Sequence, residues 1–179
     1  MGSLVGSRVE RKEDKRFLTG KGRYTADINI TNQTYAVFVR SPHARAKIKK
    51  VNFSKASKAP GVVSILTGAD IVNDKIGGLI AGWKIVSEDG SDMKVPAHPP
   101  LASDTVNYVG DHVAVVIAES LDEAKAAANL VEVDYKVLQA VTSTADAMKS
   151  EKIYNDIDKN LCFDWLLGDR AKVKEAFEK

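Results

Sequence analysis

"HVAVVIAESLDEAKAAANLVEVDYKV", residues 112–137, is the stretch whose reading decides the fold. Val113 to Ala118 is apolar without a break, which predicts a central strand buried on both faces. Gly110-Asp111 supplies the turn before it. Ser120 with Glu123 three residues on is a capping-box pattern, and Ala124, Ala127, Ala128 and Val131 recur at the helical period. The spacing predicts a helix over 120–130 capped by Ser120. Then Val131, Val133, Tyr135 and Val137 alternate with Glu132, Asp134 and Lys136, the pattern of a strand with one wet face. The unit is strand, helix, strand.

Residues 45–70 read as a looser version of the same unit. "AKIKKVNF" alternates Val51 and Phe53 with Ile48 out of phase, a strand with a bulge. "SKASKAPG" reads as a short helix capped by Ser54 and stopped by Pro60-Gly61. "VVSIL" reads as a buried strand, and Thr67 to Asp70 opens a brief helical turn. Ahead of this unit, "YAVFVRS" is apolar on both phases and predicts another buried strand, ended by Ser41-Pro42 because Pro42 has no N–H for a ladder. Residues 1–23 read as a polar extended arm with a turn at Gly20-Lys21-Gly22. Residues 73–100 hold Gly77, Gly78, Gly82, Gly90, Pro96, Pro99 and Pro100 with little periodicity. They predict a long loop or an inserted hairpin, and the least ordered internal segment. Residues 140–160 read as helix and loop, and "RAKVKEAFEK" begins a helix. These elements make an α+β protein.

The bulk composition narrows the function. At 179 residues, 44% hydrophobic and 28% charged, the chain has ordinary globular composition and enough length for a real core. A net charge of +2 gives no electrostatic case for a nucleic-acid or membrane partner. The lone Cys162 excludes an internal disulfide and points to a reducing compartment, so a cytoplasmic location is expected. No stretch is long and apolar enough to predict a signal peptide or a transmembrane segment. Met1-Gly2 touches the myristoylation pattern, but the polar continuation reads as an ordinary start.

Candidate chemistry is thin. In "RSPHAR", residues 40–45, a serine and a histidine lie close together, but no G-x-S-x-G elbow surrounds Ser41. A strand end and turn is the expected role, with an anion grip by Arg40 and Arg45 the alternative. "LTGKGRY", residues 18–24, departs from the phosphate-loop pattern because Lys21 is followed by Gly22 and no helix opens after it. Gly20 and Gly22 are expected to serve unusual backbone angles. His43, His98 and His112 lie far apart, and a metal site would need Asp111, His112 and a distant histidine together. Cys162 reads as a small core side chain, and Lys149, Lys152 and Lys159 as a solvated face. Trp83 and Trp165 read by default as satellite core, with a contact surface the alternative.

Several stretches together resemble the molybdenum-binding large subunit of the molybdenum hydroxylases, the family of aerobic carbon monoxide dehydrogenase, xanthine dehydrogenase and aldehyde oxidase. "VGSRVERKEDKRFLTGKGRYTADI" resembles its opening, with Arg16 to Gly20 and a G-x-G-x-Y-x-x-D run from Gly20 to Asp27. "YAVFVRSPHARAKI" resembles its R-S-P-H-A-H-A-x-I stretch, with Arg45 where a second histidine is common. "APGVVSILTGADI" and "PPLASDTVNYVGDHVAVVIAESLDEAKAAANLVEVDYKVLQAV" resemble later blocks, although Asp111-His112 replaces the usual Glu/Gln-Pro/Ala. "NLCFDWLLGD" is similar to the carbon monoxide dehydrogenase branch.

The resemblance implies an α/β-hammerhead domain, a mixed sheet with helices packed on it. It implies an extended N-terminal arm over 1–26, the hammerhead over 27–145 and a connection over 146–179 toward a molybdopterin-binding domain. It gives Ser41-Pro42-His43 a scaffold role. It places catalytic, cofactor-binding and metal-ligating residues outside this chain, with molybdopterin cytosine dinucleotide and molybdenum expected in the complete subunit. The chain is then expected to be an inactive N-terminal fragment, a cloned domain or half of a split gene. Its expected partners are the rest of the large subunit and the iron–sulfur and flavin subunits. Exposed apolar groups in "NLCFDWLL", residues 160–167, also predict self-association of the isolated chain. The alternative is a stand-alone hammerhead module that binds a small anionic ligand or a protein.

Overall fold

A computed structural model describes residues 5–178, so the Met1-Gly2 myristoylation pattern lies outside the described residues. The chain divides into two compact units, residues 1–33 and 34–179.

In the first unit, residues expected to be extended form a short helix, α1 (Asp14–Leu18). Arg11 pairs with Asp14 at 2.9 Å, and the Thr19 hydroxyl donates to the Lys15 carbonyl at 2.7 Å. Gly20, at φ +69°, ends the helix, with its N–H on the Phe17 carbonyl and that of Lys21 on the Arg16 carbonyl. Gly22 answers a different need: a Cβ there would sit 2.9 Å from the Phe17 ring. Phe17 stacks on Tyr24 at 5.8 Å, and the Tyr24 N–H is taken by Asp27. The two glycines thus end a helix and admit a ring, and a 3-10 turn (Thr25–Asp27) follows where a phosphate loop would start a helix.

The second unit runs β1 (Tyr35–Arg40), β2 (Ala46–Asn52), a 3-10 turn (Ala56–Lys58), β3 (Val62–Thr67), α2 (Gly68–Asn73), β4 (Thr105–Val106), β5 (His112–Ala118), α3 (Leu121–Ala128), β6 (Glu132–Val137), α4 (Thr144–Ala147), a 3-10 turn (Asp158–Asn160) and α5 (Arg170–Phe177). The strands form two three-stranded sheets, ordered β1-β5-β3 and β4-β2-β6. The α+β hammerhead class holds, but the expected mixed sheet is replaced by pairings that are antiparallel throughout. The reason is the topology of the two strand–helix–strand units. β2 leads through the 3-10 turn to β3 in the other sheet, and β5 leads through α3 back to β6 in the sheet of β2. Because β3 pairs with β5 and β2 with β6, the two units lie head to tail. The bulge expected in β2 falls between Ile48 and Lys50.

β5 is central, as its unbroken apolar run requires. Val116 faces Ala56 and Ala127, Val115 faces Ile71 and Leu101, and Val113 joins Ala46, Ala102 and Val106. β1 and β3 were expected to be buried strands. Both are edges of their sheet, and Phe38 and Val63 reach solvent. The largest fully buried side chains are valines, and Leu101, Ile71 and Ile157 join them in the core.

Ser120 caps α3 as its pattern predicts. Its Oγ accepts the Glu123 N–H at 3.2 Å and donates to Glu123 Oε2 at 2.7 Å. That carboxylate lies against Gly61, whose left-handed turn (φ +70°) leaves no room there for a Cβ. Ser120→Ala is expected to lower stability by about 1 kcal/mol, read from a denaturation midpoint; an unmoved midpoint removes the cap from the account. Ser54, expected to cap the helix after β2, does not do so: that helix is one 3-10 turn whose N-cap is Lys55.

At α2, Asp70 Oδ2 accepts the Thr67 N–H at 2.7 Å and the Thr67 hydroxyl at 2.8 Å. The backbone bond first, then the hydroxyl, holds the Asp70 carboxyl below its ordinary value. A folded pKa below the unfolded one stabilises the fold fully above about 3.9, and that contribution fades as pH falls through the lowered value. Asp70→Asn is therefore expected to flatten the acid limb of a stability–pH curve. An acid limb identical to wild type counts against this capping box as the source.

Residues 73–100 contain an inserted hairpin. Val86 bridges Asp92, Met93 N–H bonds Ile85, and Gly90 turns at φ +82°. The chain after residue 160 lies along it. Glu88 N–H donates to Asp164, Lys94 N–H to Cys162, and Arg170 pairs with Glu88 at 2.7 Å. α5 then starts at Asp169, whose carboxylate accepts the N–H groups of Ala171 and Lys172.

Candidate functional site

"RSPHAR" is a locked turn. Ser41 is buried; its N–H donates to the Asp111 carbonyl and its carbonyl accepts from Gly110, both at 2.8 Å. Its hydroxyl meets the backbone of His43 at 3.0 Å. Arg40 reaches the Gly110 carbonyl, and Arg45 the carbonyls of Gln139 and Lys152 at 3.3 and 2.9 Å. Both arginines thus give donors to backbone acceptors, and Arg45 Nε is buried without a partner among the described residues. The His43 ring packs edge-on against Tyr135.

Asp111 and His112 do not act together. The His112 ring stacks on Phe38 at 4.2 Å, while Asp111 turns into a cleft. Among the described residues no group of three His, Cys, Asp or Glu side chains is placed to hold a metal ion. Cys162 is half-buried beside the hairpin. Lys152 is paired with Asp158 at 2.9 Å. The tryptophans are not satellite core: Trp83 is 80% exposed and Trp165 54%. Leu161, Phe163, Leu166 and Leu167 are exposed with Trp165.

A cleft of about 360 Å³ lies in the second unit. Leu79, Val95 and Pro96 form apolar walls, and Asp111, Tyr108 and Tyr154 bring polar groups. Asp111 is only 7% exposed, and its Oδ2 accepts the Asn107 N–H at 3.0 Å. Burial, then the charge on Asp111, raises the phenol pKa of both Tyr108 and Tyr154. Tyr108 reaches His98 Nε2 through its hydroxyl at 3.3 Å. Sequence reading missed this grouping. Tyr154 and His98 converge on Asp111 through the path of loops, and no spacing rule covers that. The tight Tyr108-Val109-Gly110-Asp111 turn was the one available signal.

A molybdopterin dinucleotide does not fit these residues. Its phosphates would meet a buried carboxylate, and the nearby arginine Arg40 already serves a backbone carbonyl.

Two small antiparallel sheets joined head to tail by strand–helix–strand units define an α/β-hammerhead. The family model described as "Aldehyde oxidase and xanthine dehydrogenase, a/b hammerhead domain" matches residues 19–139. The chain belongs to this family, the molybdenum hydroxylases. It is 38% identical over 153 residues to the nicotine 6-hydroxylase large subunit of Paenarthrobacter nicotinovorans, a match covering 86% of this chain and 18% of that one. It is 33% identical over 191 residues to the carbon monoxide dehydrogenase large chain of Afipia carboxidovorans, covering 98% and 22%. A solved structure of CO dehydrogenase from Oligotropha carboxidovorans matches with a TM-score of 0.76 at 30% identity, over 97% of this chain and 22% of that one. The chain thus spans about a fifth of the length of the curated relatives it matches. Among the described residues no helix is long and apolar enough to cross a membrane.

Proposed function

We propose that this chain is the non-catalytic hammerhead part of the large subunit of a molybdenum hydroxylase complex and works as an architectural element. The hammerhead proper covers 27–145, with 1–26 an arm and 146–179 the connection toward the cofactor-bearing part. The observation that carries this reading is the exposure of large apolar groups. Valines and alanines with Ile71, Leu101 and Ile157 fill the core, while Trp83, Trp165, Leu166 and Leu167 face outward. Such a surface is suited to being covered by a larger body. The rest of a large subunit is the proposed cover, since the relatives are about five times as long as the match. That part would hold molybdopterin cytosine dinucleotide, which supplies the oxidation chemistry when bound. Iron–sulfur and flavin subunits are the further partners, in a cytoplasmic complex.

A carbon monoxide dehydrogenase type is the preferred branch. The match to that large chain takes in nearly all of this chain, residues beyond the hammerhead included. The greater identity to the nicotine 6-hydroxylase subunit supports a second reading, hydroxylation of a nitrogen heterocycle.

Capture of the native complex through this chain tests both. Stoichiometric molybdenum in the complex, and none with the 179-residue chain alone, is the expected result. Turnover of carbon monoxide against a nitrogen heterocycle by that complex separates the branches. Molybdenum or turnover in a preparation of these 179 residues alone would overturn the architectural reading.

A further inference from the structure

The cleft carries a charge that the architectural role does not use. Asp111 is 7% exposed, and among the described residues no Lys, Arg or His forms an ion pair with it. Arg40 places its guanidinium on the Gly110 carbonyl, near enough for its charge to act on Tyr108, and forms no ion pair with Asp111. The Asp111 carboxylate accepts the Asn107 N–H on Oδ2 and is also hydrogen-bonded by the Tyr108 side chain, both neutral donors. A carboxylate set in a cleft without a cation is open to one, because its neutral donors leave its charge unpaired. Beside it the side-chain oxygen of Asn107 is buried and finds no donor among the described residues. In one cleft, then, Asp111 lacks a cation and the Asn107 oxygen lacks a donor among the described residues.

The rest of the lining matches. Tyr108 and Tyr154 add aromatic rings, whose faces attract cations. Leu79, Val95 and Pro96 add an apolar wall that suits a short hydrocarbon stem. The volume, about 360 Å³, falls within the range of about 300–1,000 Å³ usual for small-molecule sites. The side-chain donors present are not cations: the Tyr108 hydroxyl meets His98 Nε2 at 3.3 Å and its side chain bonds Asp111. An anion would face Asp111 with no cation to hold it, which disfavours the small anionic ligand considered for a stand-alone module.

We propose that this cleft binds a primary alkylammonium group, its nitrogen between Asp111 and the Asn107 side-chain oxygen and its stem along Leu79 and Val95. The group has two sources of the same chemistry: a free aliphatic amine or a lysine side chain of a protein packed over the cleft. The inference rests on the cleft alone and survives or falls independently of the hydroxylase complex.

The test is a calorimetric titration of the full chain with n-butylammonium, 1-butanol and butyrate, with the Tyr108 and Tyr154 ring resonances followed by NMR. Saturable binding of n-butylammonium that shifts both tyrosines, at least tenfold tighter than either 1-butanol or butyrate, is the expected result. Asp111→Asn, which keeps the shape and removes the charge, is expected to weaken it at least tenfold. A second arm compares n-butylammonium with a capped lysine amide whose α-amino group is acetylated. Tighter binding of the capped lysine assigns the site to a protein side chain, and tighter n-butylammonium to a free amine. Absence of saturable binding by either ammonium, equal binding of 1-butanol, or unchanged affinity in a folded Asp111→Asn protein each overturns the proposal. Should Asp111→Asn not fold, the comparison of charged and neutral ligands on the unaltered chain still decides.

Discussion

Gly68→Ala is expected to cost more than about 3 kcal/mol, among the largest effects of any single methyl group added to this protein. Gly68 is buried at the start of α2, where the chain turns from β3 beneath the segment 101–103. A Cβ there would collide with the Ala102 carbonyl and stand 2.5 Å from the Ser103 Cα. Both obstacles are backbone, so no side chain can swing away. Ala102 is itself pinned, because its N–H donates to the His112 carbonyl at 2.7 Å and its side chain packs with Ala46, Val106 and Val113. Relief would move the entry to β4 and part of the core with it. For a domain of this size a loss of 3 kcal/mol lowers the melting temperature by about 10 °C. Gly77→Ala is the control: nothing lies within 4 Å of its added Cβ, and a change under about 0.5 kcal/mol is expected. A Gly68→Ala protein that melts within 2 °C of the Gly77→Ala protein contradicts the clash.

The second large effect belongs to the proposed cover of the outer surface. Trp165→Ala is expected to weaken association with the cofactor-bearing remainder of a large subunit by about 2 kcal/mol, about thirtyfold in Kd. Trp165 is half-exposed, and Phe163, Leu166 and Leu167 emerge around it. The segment is held in place without burying these groups. Asp164 bonds the hairpin at Glu88, and Arg170 pairs with Glu88 just beyond. An aromatic side chain presented on a fixed backbone is the usual anchor of an interface. In the isolated chain the same surface is expected to give concentration-dependent self-association, reduced by the same substitution. Titration calorimetry with the purified remainder, and sedimentation of the chain alone, read the two effects. Equal Kd for the two proteins would remove Trp165 from the interface.

The elements that were legible in the sequence share one property: local chemistry decides them. The run Val113 to Ala118 had to be covered on both faces, and it is the central strand. Ser120 and Glu123 sit one helical turn apart, so their hydrogen bond needs nothing from the rest of the chain. Ser41-Pro42 ends β1, and the bulge in β2 falls where Ile48 breaks the alternation. The family motifs were equally legible, since they are spacings within short segments.

What the sequence did not disclose depends on contacts between distant segments. Apolar residues on both phases of "YAVFVRS" describe an edge strand as well as a buried one; the position beside β5, with Phe38 stacked on His112 at 4.2 Å, made it an edge. Ser54 has the side chain of a cap, but the segment before Pro60 closes only one 3-10 turn and leaves it no helix to cap. Trp83 and Trp165 are apolar enough for a core, but the folded chain leaves both outside it. Asp111 looked like half of a metal pair with His112. Successive side chains at the start of a strand point to opposite sides, which put the imidazole on Phe38 and the carboxylate in a cleft with Tyr154, 43 residues later. Periodicity and caps are short-range physics and were written in the sequence by itself. Strand order, the exposure of large apolar groups and the meeting of Asp111, Tyr108 and Tyr154 come from long-range packing, which only the tertiary structure decided.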